Sequence, residues 1–316
     1  MAAELGFHTT AEEASEGVDL TGETIVVTGA SAGLGVETVR VLALRGARVV
    51  GVVRDRAKGE GALAGIRESQ PEAKLELAEL DLSDLESVRR GADDIVRRFP
   101  KIDRLINNAG VMACPLGRTA QGLELQLGTN HLGHFVLTAR LMESLLRGAP
   151  GRIVNLSSGG HQLSGVRFED PFFEKEDYSK WVAYGQAKTA NVLFSVALDR
   201  RFRDRGIRSF AVHPGAIMTE LSRHLVPEDL KELMGKRGGR KLEYKKVPQG
   251  AATTVWAATA RELDGRGGLY CEDCHVAETM DEPGSGSGVM SYALDEASAD
   301  RLWSLSEEWS GETFPV

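Results

Sequence analysis

Short, mainly apolar runs alternate along this chain with longer stretches in which apolar positions recur every three or four residues. Thr24 to Thr28, Ala47 to Val53, Lys74 to Leu80, Asp103 to Asn107, Arg152 to Ser157 and Ile207 to His213 read as strands. Helices are predicted between them: Leu34 to Leu44, a polar helix after the second strand, Leu123 to Leu146, and Tyr184 to Phe202. Another is expected from Ser83, where Ser-Asp-Leu-Glu has the form of a capping box. Strands apolar on both faces and separated by helices imply a parallel sheet covered on both sides, the α/β class. The alternation runs to about residue 270 without a linker, so residues 21–316 are expected to form a single domain behind an acidic N-terminal arm, residues 1–20. Two shorter helices, near Pro227 to Met234 and Ala297 to Trp309, and a flexible loop over Met280 to Gly288 complete the pattern.

Composition narrows the functions this scaffold can carry. Of the 316 residues, 42% are apolar and 27% charged, ordinary for a globular protein. The formal net charge of −8 is spread along the chain, which argues against a nucleic-acid partner. No run is long enough to cross a bilayer, and the N-terminus lacks the basic and apolar regions of a signal peptide, so a cytoplasmic location without a membrane partner is expected. Arg outnumbers Lys and Gly and Ala are abundant, a bias that suggests a GC-rich bacterial source.

Three places carry candidate chemistry. Thr28-Gly29-Ala30-Ser31-Ala32-Gly33-Leu34-Gly35 lies between a strand and a helix, where glycines let the backbone turn sharply towards a pyrophosphate and the helix N-terminus stabilises its charge. Tyr184 and Lys188 share a helix face, and a cation beside a phenol is expected to lower its pKa from about 10. Ser158, at the end of the fifth strand, can donate to a developing oxyanion. Cys271-Glu-Asp-Cys274-His275 matches the spacing of a haem-attachment or redox pair, but no export signal accompanies it and Cys114 is the only other cysteine. Packing of Cys271 and Cys274 in a late strand and its loop is favoured, with a redox or metal role left open. His131 and His134 are one helical turn apart; packing or hydrogen bonding is favoured over metal binding.

The T-G-x-x-x-G-x-G turn, Asp81-Leu82, Asn107-Asn108-Ala109-Gly110, Tyr184-x-x-x-Lys188 and His213-Pro214-Gly215 stand in an order that resembles the short-chain dehydrogenase/reductase family. The gap of 26 residues from Ser158 to Tyr184 and the run Asn130-His-Leu-Gly-His-Phe look most like its retinol-dehydrogenase-like branch, which also resembles WW-domain oxidoreductases. The resemblance, from about Leu20 to Trp309, implies a Rossmann-type doubly wound fold with a seven-stranded parallel sheet of order 3-2-1-4-5-6-7, a substrate lid around residues 217–246 and a C-terminal extension from about residue 271.

It further implies hydride transfer between a nicotinamide cofactor and a carbonyl or alcohol, with a medium-sized apolar ketone, aldehyde or secondary alcohol as small-molecule substrate. Gly29, Ser31, Ala32, Gly33, Leu34 and Gly35 would hold the pyrophosphate. Asp81 and Leu82 would flank adenine, Asn108, Ala109 and Gly110 would line its ribose region, and Pro214, Gly215, Ile217 and Thr219 would bracket the nicotinamide. Ser157 is placed beside the cofactor. Ser158 and Tyr184 would bind the carbonyl, Lys188 would grip the nicotinamide ribose, and Asn130 would hold a water in the proton relay. Val53 stands where NAD-preferring relatives carry Asp, and Arg54 follows it, so NADP(H) is favoured over NAD(H), with a solvated loop Arg as the alternative. Phe168, Phe172, Phe173, Tyr178 and Trp181 either line a pocket or anchor their loop, and Met218, Leu221, Leu225 and Met234 either contact substrate or pack. A homodimer or homotetramer is compatible with the resemblance. Reduction of an activated C=C bond and a non-catalytic nucleotide sensor are the alternatives.

Overall fold

The computed structural model of the protein describes residues 5–219, 221, 225–236, 243–282 and 287–315. The first four residues of the arm and parts of the expected lid and of the 280–288 loop lie outside them. Strands β1 (Thr24–Thr28), β2 (Arg48–Val53), β3 (Lys74–Glu79), β4 (Arg104–Asn107), β5 (Gly151–Leu156), β6 (Ile207–His213) and β7 (Leu269–Glu272) pair in parallel, in the expected order 3-2-1-4-5-6-7.

An eighth strand, β8 (His275–Val276), pairs antiparallel with β7 and corrects the count of seven. It is two residues long, too short for any periodicity to show. Asp273 and Cys274 between the strands have φ of 46° and 58°. A two-residue hairpin needs positive φ at both central positions. The Cys-x-x-Cys-His spacing is thus the spacing of a hairpin turn. Both cysteines are buried as free thiols in the core, and no group of metal-ligating side chains occurs among the described residues.

Each central strand sends alternate residues to opposite faces. Val26, Leu105 and Ile153 enter a core beneath α3 (Leu85–Arg98), α5 (Gly133–Arg147), α6 (Lys180–Phe202) and α10 (Glu296–Ser310). Ile25, Ile106 and Val154 enter a second core, beneath α1 (Gly33–Leu44), α2 (Arg56–Ser69) and α9 (Ala252–Thr259), the last preceded in the chain by α7 (Pro227–Lys236) and α8 (Val247–Gly250). The arm joins this second core: Ala11, Ala14 and Leu20 are buried, and the Ala11 N–H donates to Pro248 O at 2.8 Å. No described helix is long and apolar enough to cross a membrane.

Two helix starts differ from expectation. Asp84, not Ser83, caps α3 by accepting the Glu86 N–H; the Ser83 hydroxyl turns back to Asp81 Oδ1 at 2.7 Å. The helix expected from Leu123 begins as α4 (Leu125–Leu127) and passes through a π-turn, Gly128–Leu132, before α5. The inserted aromatics resolve mainly as anchors: Phe172 packs edge-on against Trp309 with ring centroids 5.1 Å apart, and Phe173 does the same with Tyr178.

Phe135 lies under α10, with ring centroids 5.4 Å from both Phe194 and Trp303 and 5.1 Å from Phe314. Phe135→Ala is expected to cost about 3–5 kcal/mol in urea unfolding. Leu116→Ser, at an exposed position, is expected to stay within about 0.5 kcal/mol. Similar losses from the two would contradict the placement of this core.

Candidate active site

Of the residues expected to act in catalysis or to hold the cofactor, all but Asn130 line one cavity of about 1120 Å³, and Asn130 is buried behind Gly110. The cavity opens along the carboxyl edge of the sheet, where β1 and β4 diverge and ligands of open α/β sheets collect.

The glycine turn is shaped by its close approach to the loop after β4. Gly29 has φ +74°, and a Cβ there would lie 2.9 Å from Asn108 Nδ2 and 3.0 Å from Ala109 Cα. A Cβ on Gly35 would overlap the Gly29 carbonyl. Thr28 closes the junction: its hydroxyl oxygen accepts the N–H groups of Asn108 and Ala109 at 2.9 and 3.0 Å. Ala32 precedes α1 in extended conformation without a side-chain cap, leaving the first-turn N–H groups facing the cavity as an anion cradle.

His134 pins the same junction from behind. Its Nδ1–H donates to the Asn130 carbonyl at 2.9 Å, so Nε2 accepts the Thr28 hydroxyl at 2.9 Å. Burial lowers its pKa to about 4, which keeps the ring neutral. His131 Nε2 meets Ser306 Oγ at 2.8 Å. Both histidines therefore have the expected hydrogen-bonding roles.

Asn130 sits in the π-turn, where its side chain is committed to Val111. Oδ1 accepts the Val111 N–H at 2.8 Å and Nδ2 donates to the Val111 carbonyl at 2.9 Å. Only its backbone carbonyl side remains for other work, and His134 already uses it.

Tyr184 and Lys188 project from α6 into the cavity, with Nζ 5.7 Å from the phenol ring centroid. Lys188 Nζ donates to the Leu156 carbonyl at 3.0 Å, and burial lowers its pKa to about 8. The expected fall in the Tyr184 pKa is not what the site produces. Burial raises it to about 12, against an opposing hydrogen bond from Ser158. The phenol is almost fully enclosed, so desolvation of the phenolate wins. Ser158 Oγ also accepts the Gly160 N–H at 3.0 Å, and glycine at 160 is required because a Cβ would stand 2.6 Å from Tyr184 Cε1.

Sequence reasoning missed His161, which holds this turn in place. Its Nδ1–H donates to the Ser158 carbonyl at 2.7 Å, and Nε2 accepts the Met290 N–H at 3.2 Å. The His161 carbonyl takes the Tyr292 hydroxyl at 2.6 Å. The Ser158 turn is thereby tied to the C-terminal extension. Phe7 was also missed: the arm carries it to the cavity wall, under Lys245 Nζ at 4.8 Å. Neither residue belongs to a local pattern that announces its role.

At the other end, Arg54 follows β2 and is exposed, with no acidic partner among the described residues. Asp55 is occupied in capping α2, accepting the Lys58 N–H at 3.1 Å, and Lys58 lines the cavity as well. Over the Tyr184 end lie Met112, Leu163, Trp181, Leu225 and Leu233. Met218 and Leu221 also line the cavity, whereas Met234 does not.

Comparison with known proteins shows the family. The short chain dehydrogenase family model matches residues 23–230. "Short-chain dehydrogenase/reductase prx1" of Penicillium roqueforti is 41% identical over 286 residues, 89% of this chain and 83% of that protein. "Retinol dehydrogenase 12" of Mus musculus is 40% identical over 294 residues, 93% of this chain and 88% of that one. An uncharacterized protein from Mycobacterium paratuberculosis has a similar crystal structure, with TM-score 0.74, 35% identity, and coverage of 98% of this chain and 100% of that one. The chain belongs to the short-chain dehydrogenase family, with retinol-dehydrogenase-like relatives, and is an oxidoreductase acting on CH–OH or C=O groups.

Because burial lowers the Lys188 pKa from 10.5 to about 8, the unfolded chain holds a proton in this window that the folded chain has released. Folding is therefore penalised progressively as pH falls through it. Lys188→Met removes the penalty and is expected to gain on the wild type by on the order of 3 kcal/mol between pH 10.5 and pH 8 in urea unfolding. A stability difference independent of pH would contradict the burial of this ammonium.

Proposed function

We propose that this short-chain dehydrogenase interconverts a carbonyl and an alcohol with NADP(H), and that its substrate is a medium-sized, largely apolar ketone, aldehyde or secondary alcohol. The observation that carries the reading is the convergence of Tyr184, Ser158 and Lys188 on the cavity that also contains the glycine turn.

The residues present fit a dinucleotide. The turn lacks side chains where a Cβ would fill the approach, and the uncapped start of α1 suits a pyrophosphate. Asp81 and Leu82 would border the adenine, Asn108 to Gly110 its ribose, and Pro214 to Thr219 the nicotinamide. Arg54, unpaired and beside Lys58, would hold a 2′-phosphate; no carboxylate at position 53 stands ready for a ribose hydroxyl pair. Two structures of similar fold, at 22% and 24% identity, are described as complexes with NADP, which is consistent with this choice.

When bound, a nicotinamide supplies a hydride to the carbonyl carbon or takes one from the alcohol. In reduction, the Ser158 and Tyr184 hydroxyls hydrogen-bond the substrate carbonyl oxygen. Tyr184 Oη gives its proton to that oxygen as negative charge develops there. A phenol kept neutral by burial is ready for donation at neutral pH, and Lys188, with a pKa of about 8, is placed to return a proton. Asn130 fixes the Val111 backbone through both side-chain atoms, and the relay water the family resemblance implies would lie on its side of Lys188. Ser157 donates its hydroxyl to the Lys188 carbonyl at 2.9 Å and so orients the helix turn. Trp181, Leu225 and Leu233 supply the apolar wall that a lipophilic substrate body would cover.

Tyr184→Phe is expected to lower kcat about 10²–10⁴-fold in an NADPH absorbance assay over a panel of aldehydes and ketones, with NADPH still bound. Near-normal turnover in this variant would refute the assignment. Arg54→Ala is expected to weaken NADPH binding about tenfold or more, the loss of a charge-assisted bond, with NADH binding little changed. Equal effects on the two cofactors would remove the 2′-phosphate role.

A further inference from the structure

Glu272 ends β7 in register with His213 of β6, so it stands on the sheet edge that carries the Ser158 turn at the end of β5. Side chains two apart on a strand share a face. Tyr270 packs with Val192 of α6 and its ring centroid is 4.9 Å from that of His161, so Glu272 also faces the α6 side, where Tyr184 lies. The carboxylate is 6% exposed and lines the cavity. Its Oε1 accepts the Gly288 N–H at 2.7 Å, while no described residue donates to Oε2. The neighbouring Asp273 is different, because its charge is answered by Lys245. Oε2 is thus an acceptor on the cavity wall, available to a donor carried by a ligand.

We propose that Glu272 determines specificity by accepting, through Oε2, a hydroxyl carried by the substrate at the end remote from the reacting carbon. The proposal rests on the reading of Ser158 and Tyr184 as the carbonyl-binding pair. The substrate class is then an amphipathic hydroxy-carbonyl compound, or the corresponding diol. Its apolar middle lies against Trp181, Leu225 and Leu233, and its far hydroxyl reaches the β7 edge. Burial pushes the Glu272 carboxyl above its ordinary range, which favours a neutral hydroxyl over a cation as its partner.

The test compares straight-chain aldehydes of about six to ten carbons, enough to span the roughly 10 Å between the β5 and β7 edges, with their ω-hydroxy counterparts. The ratio of kcat/KM for the hydroxylated over the plain member is the readout, measured with NADPH for wild type and Glu272→Gln. Gln retains an oxygen for the Gly288 N–H but turns an NH₂ donor towards the cavity, so the tether is kept while the acceptor is lost. The wild type is expected to favour an ω-hydroxy substrate, and the variant to lower that ratio about tenfold or more. NADPH binding and cooperative thermal unfolding verify that the variant is folded. Turnover without discrimination by the wild type, or the same ratio in the folded variant, overturns this inference alone. Binding of NADPH with no turnover of either substrate series by the wild type overturns the reaction reading and this inference with it.

Discussion

The site depends on how closely two backbone segments meet at the carboxyl edge of the sheet. β1 and β4 are neighbours, and the turns that follow them touch because Gly29 and Gly35 carry no side chain at their point of contact. Thr28 fastens the contact through the N–H groups of Asn108 and Ala109, and His134 fastens Thr28 to the Asn130 carbonyl. One glycine turn therefore sets the position of the helix N-terminus, the loop after β4 and the π-turn together. A side chain at Gly35 would collide with backbone, which cannot move aside as a flexible side chain can. The rest of the cavity is assembled around this junction.

Burial then gives the two ends of the cavity different chemistry. At the Arg54 end a guanidinium stays exposed and free to meet an anion. At the Tyr184 end the phenol and ammonium are desolvated, which moves their pKa values apart, down to about 8 for Lys188 and up to about 12 for Tyr184. That divergence keeps the phenol protonated and makes return of a proton from the ammonium to a phenolate downhill. His161 carries the effect outward: by holding the Ser158 carbonyl and the Met290 N–H at once, it makes the C-terminal extension part of the frame around the reacting groups.

Much of this was legible in the sequence because parallel strands buried on both faces leave continuous apolar runs, and because the glycine turn and Tyr-x-x-x-Lys pair are local patterns. The strand order came from the family resemblance that those motifs carry, and the structure has it. What was not legible depended on contacts between distant segments or on the balance of competing terms. β8 is two residues long, and its turn was hidden inside a string that mimics redox chemistry. The π-turn depends on Asn130 bonding to Val111, outside the helix. Docking of Phe7 requires the partners Lys245 and Pro248, hundreds of positions away. The Tyr184 pKa was read in the wrong direction because the sequence displays the nearby cation and conceals how thoroughly the ring is enclosed.

The central claim is that hydride reaches a carbonyl carbon while Tyr184 protonates its oxygen. The most direct measurement uses NADPH deuterated at the transferring position with an accepted aldehyde or ketone, and mass and NMR analysis locates the label in the product. The account predicts one deuterium on the carbinol carbon, with the hydroxyl proton drawn from solvent and label transfer suppressed in Tyr184→Phe. Deuterium on a carbon of a reduced C=C bond, or tight NADPH binding without label transfer to any substrate, would contradict it.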